Sequence, residues 1–257
     1  TLPFTRELPV AERFTYPPQD EVIEGLVGAV QKRMSAALIA PAGTGKTVVL
    51  RTVRDKLPQA RYRVRYVKVT ELCKRDLCKE VAAVCGLAPA GSYPALVRRL
   101  QEAFCAEYAT DGLRPVLLLD EAHDLRLGSL AMLRLLTNFD MDSRLVLSLI
   151  LAGQPPLRQM LERAEVHALA QRLVHVATLR LLSREEAHAY VQHRCRTAGA
   201  TADVFDAGAH EALFEISSGN LRAIDHLALK AIESCARAGL GAVAAKDIIE
   251  ARQTLCV

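Results

Sequence analysis

Through its first 180 residues the chain alternates apolar runs of strand length with amphipathic helical windows, and that alternation constrains the fold more than any other feature. Successive side chains on a strand point to opposite faces, so a run that is apolar throughout needs cover on both faces. Helices between successive runs supply that cover, and the pattern reads as a parallel sheet flanked by helices. The predicted strands are AALIA (36–40), RVRYVKV (63–69), VLLLD (116–120), LVLSLIL (145–151) and VHVATL (174–179). Helices are predicted at about 19–33, 46–57, 70–85, 93–108 and 129–138. After residue 182 the strand pattern stops, and SREEAHAYVQHRCRTAG, DAGAHEALFEISSG, NLRAIDHLALKAIESCARAG and AAKDIIEARQTL read as helices. Ser183 with Glu186 is a capping box that opens the first of them, and Gly199 and Gly219 close helices. The expected organisation is α/β, a parallel five-stranded sheet over residues 1–181, followed by a small all-helical domain over 182–257. Residues 1–34 form a leading segment and helix of the first domain.

With 257 residues and 51% hydrophobic side chains, the chain can bury a full core without staples. Its seven cysteines, Cys73, Cys78, Cys85, Cys105, Cys195, Cys235 and Cys256, are odd in number and lack paired short spacing. They read as reduced thiols of an intracellular protein, not as a disulfide frame or zinc site. The longest apolar run, LVLSLILAG, is too short to span a bilayer, and a cytoplasmic location is expected. A net charge of +4 neither demands nor excludes an anionic polymer as partner.

The segment APAGTGKT, residues 40–47, follows an apolar strand and opens a helix. It matches the Walker A pattern except that Ala40 replaces the first glycine. Gly43 and Gly45 let the backbone curl so that N–H groups face phosphate oxygens at the positive end of a helix. Pro41, Ala42, Gly43, Thr44, Gly45, Lys46, Thr47 and Val48 are therefore the predicted nucleotide cradle. Lys46 bridges the β and γ phosphates, and the Thr47 hydroxyl ligates Mg²⁺. VLLLDEAHD, residues 116–124, places Asp120 at the end of a buried strand, where it holds the Mg²⁺ shell, and Glu121 beside it, where it polarises water toward the γ phosphate. The letters DEAH also occur in helicases, but companion helicase motifs are missing, and His123 reads as a structural or relay residue. Gln154, after the strand 145–151, either reaches the phosphates or caps the next helix.

With APAGTGKT, VLLLDEAHDL, LAGQPPLRQML, LAQRL and SSGNLRAIDHLA in this order, the chain resembles the AAA+ ATPases over nearly its whole length. Within them it is most similar to the branch that joins the general secretion pathway A-type ATPases to the TnsC and TniB-type regulators of transposition. That resemblance implies a P-loop NTPase sheet with a helical AAA+ lid, and ATP hydrolysis with ATP and Mg²⁺ bound. It implies roles for Gln154 as sensor 1, Arg222 as the sensor 2 arginine of the lid, and Arg172, or alternatively Arg163, as an arginine finger into a neighbouring subunit. Guanidinium suits that task, because it neutralises charge developing on a transferred phosphoryl group. A homo-oligomeric ring or helical filament is the implied assembly. The segment around Phe14 to Val22 is expected to close over the adenine.

The leading segment LPFTRELPVAERFTYP resembles that of transposon-encoded relatives, which points toward a regulator that assembles on double-stranded DNA and recruits a transposase. A secretion assembly ATPase and a nucleotide-switched signalling scaffold are the alternatives. In the transposition regulators, loops at matching places touch the DNA backbone, which makes Lys68, Thr70, Lys74, Arg75 and Ser92 the predicted phosphate contacts. Lys74, Arg75 and Lys79 also alternate with Asp76 and Glu80, as on an ordinary solvated helix face.

Overall fold

The computed structural model describes residues 3–5, 9–110, 112–141 and 143–254; Cys256 lies outside the described residues, as do residues 6–8 of the leading segment. Two compact units form, one of Pro18–Pro41 with Lys46–Leu179, the other of Thr1–Pro17, Ala42–Gly45 and Arg180–Val257.

The first unit holds the strands β1 (Ser35–Ile39), β2 (Tyr62–Lys68), β3 (Arg114–Asp120), β4 (Ser148–Gly153) and β5 (Leu173–Thr178). They pair in parallel in the order β2-β3-β4-β1-β5. Burial follows this order. β1, β3 and β4 are inner strands and almost wholly buried, whereas the edge strands β2 and β5 alternate buried with exposed residues. The covering helices are α1 (Pro17–Gln31), α2 (Lys46–Lys56), α3 (Lys74–Val84), α4 (Tyr93–Thr110), α5 (Leu127–Thr137), α6 (Pro156–Leu161) and α7 (His167–Ala170). On one side, Leu77 and Val81 of α3, Leu96, Leu100 and Phe104 of α4, and Leu133 of α5 cluster with Val67, Leu117 and Leu149 of the sheet. Each such side chain contributes about 1.5–3 kcal/mol when fully buried. The four-residue spacing within α3 and α4 is what puts these residues on one face.

Two elements, β4 and α3, differ from the sequence reading by three residues or more at one end, and two short helices are additional. β4 runs 148–153 rather than 145–151, and Leu145 is exposed. The ladder begins where Ser148 pairs with Val116 and the Leu149 N–H donates to the Ser35 hydroxyl at 3.0 Å. It continues through Ala152 and Gly153, small residues whose place is tightly enclosed: a β-carbon at 153 would lie 3.1 Å from Leu157 Cβ and 3.2 Å from the His123 nitrogen. α3 starts at Lys74, not residue 70, because Cys73 is still extended. The short α6 and α7 were not expected, although Pro155 and Pro156 at the head of α6 sit where a missing N–H leaves no bond unmade.

The second unit contains α8 (Arg184–Thr197), α9 (Ala207–Ser217), α10 (Leu221–Arg237) and α11 (Ala245–Thr254). Their starts are set by side chains. Glu186 N–H donates to Ser183 Oγ at 3.2 Å, while Ser183 N–H donates to Glu186 Oε2 at 2.7 Å. Asp206 caps α9, and Asn220 caps α10. Gly219, at φ +76°, ends α9 where a β-carbon would meet the Leu182 backbone. The leading residues pack onto α8: Phe14 lies 5.6 Å from the Tyr190 ring, and buried Arg194 covers the Phe4 ring while donating to the Thr5 carbonyl at 2.6 Å. Among the described residues no helix is long and apolar enough to cross a membrane.

Candidate nucleotide-binding site

At the carboxyl end of the sheet in the first unit, four predicted residues converge. Asp120, the last residue of β3, is buried. Its Oδ2 accepts a hydrogen bond from the Thr47 hydroxyl at 2.9 Å, and its Oδ1 accepts from the Glu121 N–H at 2.9 Å. Lys46 is buried at the head of α2, with Nζ 3.4 Å from the carbonyls of Ala40 and Pro41 and 3.9 Å from Glu121 Oε2. Val48 lies in the first turn of α2 and uses its carbonyl to accept the Thr52 hydroxyl. Parallel pairing explains the convergence, since β1, β3 and β4 all deliver their last residues to the same edge.

Glu121 stands in the left-handed region at φ 58°, ψ 36°, an unusual conformation for a glutamate. Its Oε2 is buried and has no hydrogen-bond partner among the described residues. The nearest cationic or potentially cationic atoms are Lys46 Nζ and, at 3.5 Å, His123 Nδ1, both beyond hydrogen-bond reach or geometry. A strained backbone with an unsatisfied carboxylate oxygen is costly and recurs where a site is built for chemistry. His123 links this corner to β4: the Gln154 N–H donates to His123 Nδ1 at 3.3 Å, which in the neutral ring leaves the proton on Nε2. Gln154 follows β4 directly, and its carbonyl accepts the Leu157 N–H in the first turn of α6.

One participant was not foreseen. The Tyr66 hydroxyl, on β2, also donates to Asp120 Oδ2, at 3.0 Å, so this oxygen accepts two hydroxyls. Burial, followed by the Asp120 charge and hydrogen bond, pushes the Tyr66 phenol above its ordinary range. The signal lay in register: β2 pairs with β3, and Tyr66 faces Leu118, two residues before Asp120. Strand order was needed to see it.

In the second unit the loop residues Gly43 and Gly45 have φ of +76° and +90°, the left-handed curl expected of a phosphate loop. Thr44 between them is buried, while Ala42 is exposed. The Asn220 Nδ2 donates to the Ala42 carbonyl at 2.8 Å, and the Arg222 N–H lies 3.3 Å from the Gly43 carbonyl.

The donor set suits Mg²⁺. Thr47 and Asp120 offer a hydroxyl and a carboxylate 2.9 Å apart, hard oxygen donors of the kind that bind this ion together with substrate phosphate and water. Among the described residues no three His, Cys, Asp or Glu side chains group as metal ligands, so the fit is to an ion shared with phosphate.

The remaining predicted residues lie elsewhere. Arg172 is half-buried and immediately precedes β5, so it stands at the amino ends of the strands, the opposite edge from Asp120. Arg163 is exposed and precedes the short 3₁₀ turn Ala164–Val166. Lys68 ends β2 opposite Asp120 in register, and Thr70 follows it, exposed. Arg75 donates to the Gly91 carbonyl at 3.1 Å, which brings its helix against the segment carrying Ser92. Lys74 packs its Cε over Gly128, 2.9 Å from where a β-carbon would be.

Comparison with known proteins agrees with this geometry. A family model described as AAA domain matches residues 30–161. The General secretion pathway protein A of Aeromonas hydrophila is 34% identical over 200 residues, covering 76% of this chain and 36% of that protein. The chain thus spans about a third of the curated relative it matches. Among solved structures, Cdc6p from Pyrobaculum aerophilum is similar over 98% of this chain and 70% of its own, with a TM-score of 0.76 and 16% identity. The Aeropyrum pernix ORC1 protein, solved in complex with DNA, matches 96% of this chain and 68% of its own with a TM-score of 0.72 and 19% identity. The sheet order, the loop before α2 and the helical region that follows the sheet are those of a P-loop NTPase of the AAA+ type, and the chain belongs to the AAA domain family.

Proposed function

We propose that the chain is an ATPase that binds ATP with Mg²⁺ and hydrolyses it to ADP and phosphate. The observation that carries this reading is the junction of Thr47, Asp120, Glu121 and Lys46 at one end of the sheet. Thr47 and Asp120 would hold the ion, which when bound would neutralise negative charge on the phosphate oxygens. Lys46 then turns from the loop carbonyls to the β and γ phosphates. Glu121 Oε2, which has no hydrogen-bond partner among the described residues, takes a proton from the attacking water, whose oxygen bonds to the γ phosphorus as the bond from phosphorus to the ADP oxygen breaks. His123 and Gln154 report the phosphate state to β4. Arg222 on α10 contributes as the lid arginine of a division at residues 1–181 and 182–257. Arg172, standing at the opposite edge of its own sheet, serves the site of a neighbouring copy, and ATP drives oligomerisation in the cytoplasm.

For the work that assembly performs, we favour binding of duplex DNA and regulation of transposition through a transposase. Lys68, Thr70, Lys74, Arg75 and Ser92 form the contact set, supported by the bond that ties Arg75 to the Ser92 segment. A likeness in fold to a protein solved with DNA is compatible with this. A second reading, a secretion-pathway A-type assembly ATPase, is favoured by the Aeromonas hydrophila relative. Particle size measured with ATP or ADP, with and without a sequence-neutral duplex across a salt series, separates them. The DNA reading expects ATP-dependent, salt-sensitive assembly on duplex, with Glu121→Gln trapping it. ATP-dependent oligomers indifferent to duplex would favour a secretion or signalling ATPase over the DNA reading.

A further inference from the structure

Asn220 does two jobs with one side chain. Its Oδ1 accepts the N–H groups of Arg222 and Ala223 at 3.1 and 3.2 Å, the hydrogen bonds that start α10. Its Nδ2 donates to the carbonyl of Ala42 at 2.8 Å. Both sides of the amide are therefore committed. The Arg222 N–H approaches the next loop carbonyl, that of Gly43, at 3.3 Å. A β-carbon on Gly43 would collide with the Asn220 amide, 2.8 Å from its Nδ2. The glycine at this loop position is thus required twice, by its φ of +76° and by the amide that fills the space where a side chain would go.

A serine, threonine or aspartate would cap α10 about as well as asparagine. Of the good capping residues only asparagine carries an N–H donor on the same short side chain, and the loop carbonyl uses that donor. A cap is therefore insufficient as an explanation for the residue. In a trans peptide the N–H of Gly43 points opposite to the Ala42 carbonyl, so the bond to Asn220 leaves that N–H turned away from the amide. One residue past Gly45 the chain continues as Lys46.

We propose that Asn220 is a positioning residue for nucleotide binding: it holds the Ala42–Gly43 peptide of the phosphate loop in its anion-binding orientation while capping α10. The proposal rests on the nucleotide-binding reading above. It also assigns a path by which a shift of α10 changes nucleotide affinity, because the cap and the loop bond share one amide plane and cannot move apart.

The test separates the two jobs. Asn220→Ser keeps a capping oxygen but loses the amide N–H, its hydroxyl standing one bond short of where Nδ2 meets Ala42, whereas Asn220→Ala loses both. Binding of a fluorescent ATP analogue with Mg²⁺ is titrated in the full chain, and thermal unfolding is followed without nucleotide. With one hydrogen bond lost, Asn220→Ser is expected to bind roughly tenfold more weakly and to unfold at the unaltered temperature. Asn220→Ala is expected to lose affinity similarly and also to unfold earlier. If Asn220→Ser binds the analogue as tightly as the unaltered chain, Asn220 is a cap alone and the proposal is overturned. If the unaltered chain and Lys46→Ala bind the analogue equally poorly, the nucleotide reading itself fails and the proposal falls with it. If affinity falls only in step with unfolding temperature across both variants, the loss is one of general stability and the positioning role is likewise refuted.

Discussion

Asp120 carries more of this site than any other residue, because its two carboxylate oxygens are divided between separate tasks. Oδ1 takes the Glu121 N–H, which accompanies the left-handed turn at Glu121. Oδ2 takes Thr47 and Tyr66. The motif spacing made Lys46, Thr47, Asp120 and Glu121 legible in the sequence, since phosphate chemistry demands those residue types at the end of a strand and the start of a helix. Tyr66 and Asn220 were not legible, because what places them is strand order in one case and an interaction spanning distant parts of the chain in the other. Tyr66 orients the oxygen that would meet the ion, and outer-shell partners of a metal ligand commonly matter tenfold or more. Tyr66→Phe is expected to raise the Mg²⁺ concentration for half-maximal ATP hydrolysis by roughly tenfold, with little change in unfolding temperature since the ring is partly exposed. An unaltered Mg²⁺ dependence would mean that Thr47 and the Glu121 N–H orient Asp120 without Tyr66.

Among the elements, the inner strands β1 and β3 were read to within two residues, because runs such as VLLLD can be buried only from both sides. The end of β4 was misread for a physical reason: Gly153 looks like a loop residue, but it is small because Leu157 and the His123 backbone press against that strand end. The lid helices were legible through their caps, with the Ser183–Glu186 box the clearest. What their faces would bring together was not. His188 on α8 and His210 on α9 stack with ring centroids 3.8 Å apart. Burial first, and His188 next, lower the His210 pKa from 6.5, against an opposing pull from Asp203 and Asp206. The sign follows from linkage. As pH falls through about 6.5 the unfolded chain takes up a proton that folded His210 resists, so stability present above that pH is lost below it until the lower folded pKa is passed. Unfolding temperature is expected to drop between about pH 7.5 and about pH 5.5, and His210→Gln is expected to flatten that slope. An equal slope in His210→Gln would assign the pH dependence to other groups.

For the whole molecule, parallel pairing separates the two ends of the sheet and so separates the roles of its charged residues. Asp120 ends β3, whereas Arg172 precedes β5. Arg172 thus lies away from the Thr47–Asp120 junction of its own sheet, and the role proposed for it is in the site of another copy. The AAA fold was legible because several motifs fall in order along the chain; the partner was not, because phosphate contacts need only positive or hydrogen-bonding side chains, which an ordinary solvated face also displays. The claim that binds these scales is a nucleotide site completed between copies. Its most direct test is to mix Glu121→Gln with Arg172→Ala and follow phosphate release. Each variant alone is expected to hydrolyse ATP roughly a hundredfold or more slowly than the unaltered chain, and the mixture to regain activity because Glu121→Gln lends its intact Arg172 to sites that keep Glu121. A mixture no more active than its components, or Arg172→Ala active on its own, would contradict a shared site.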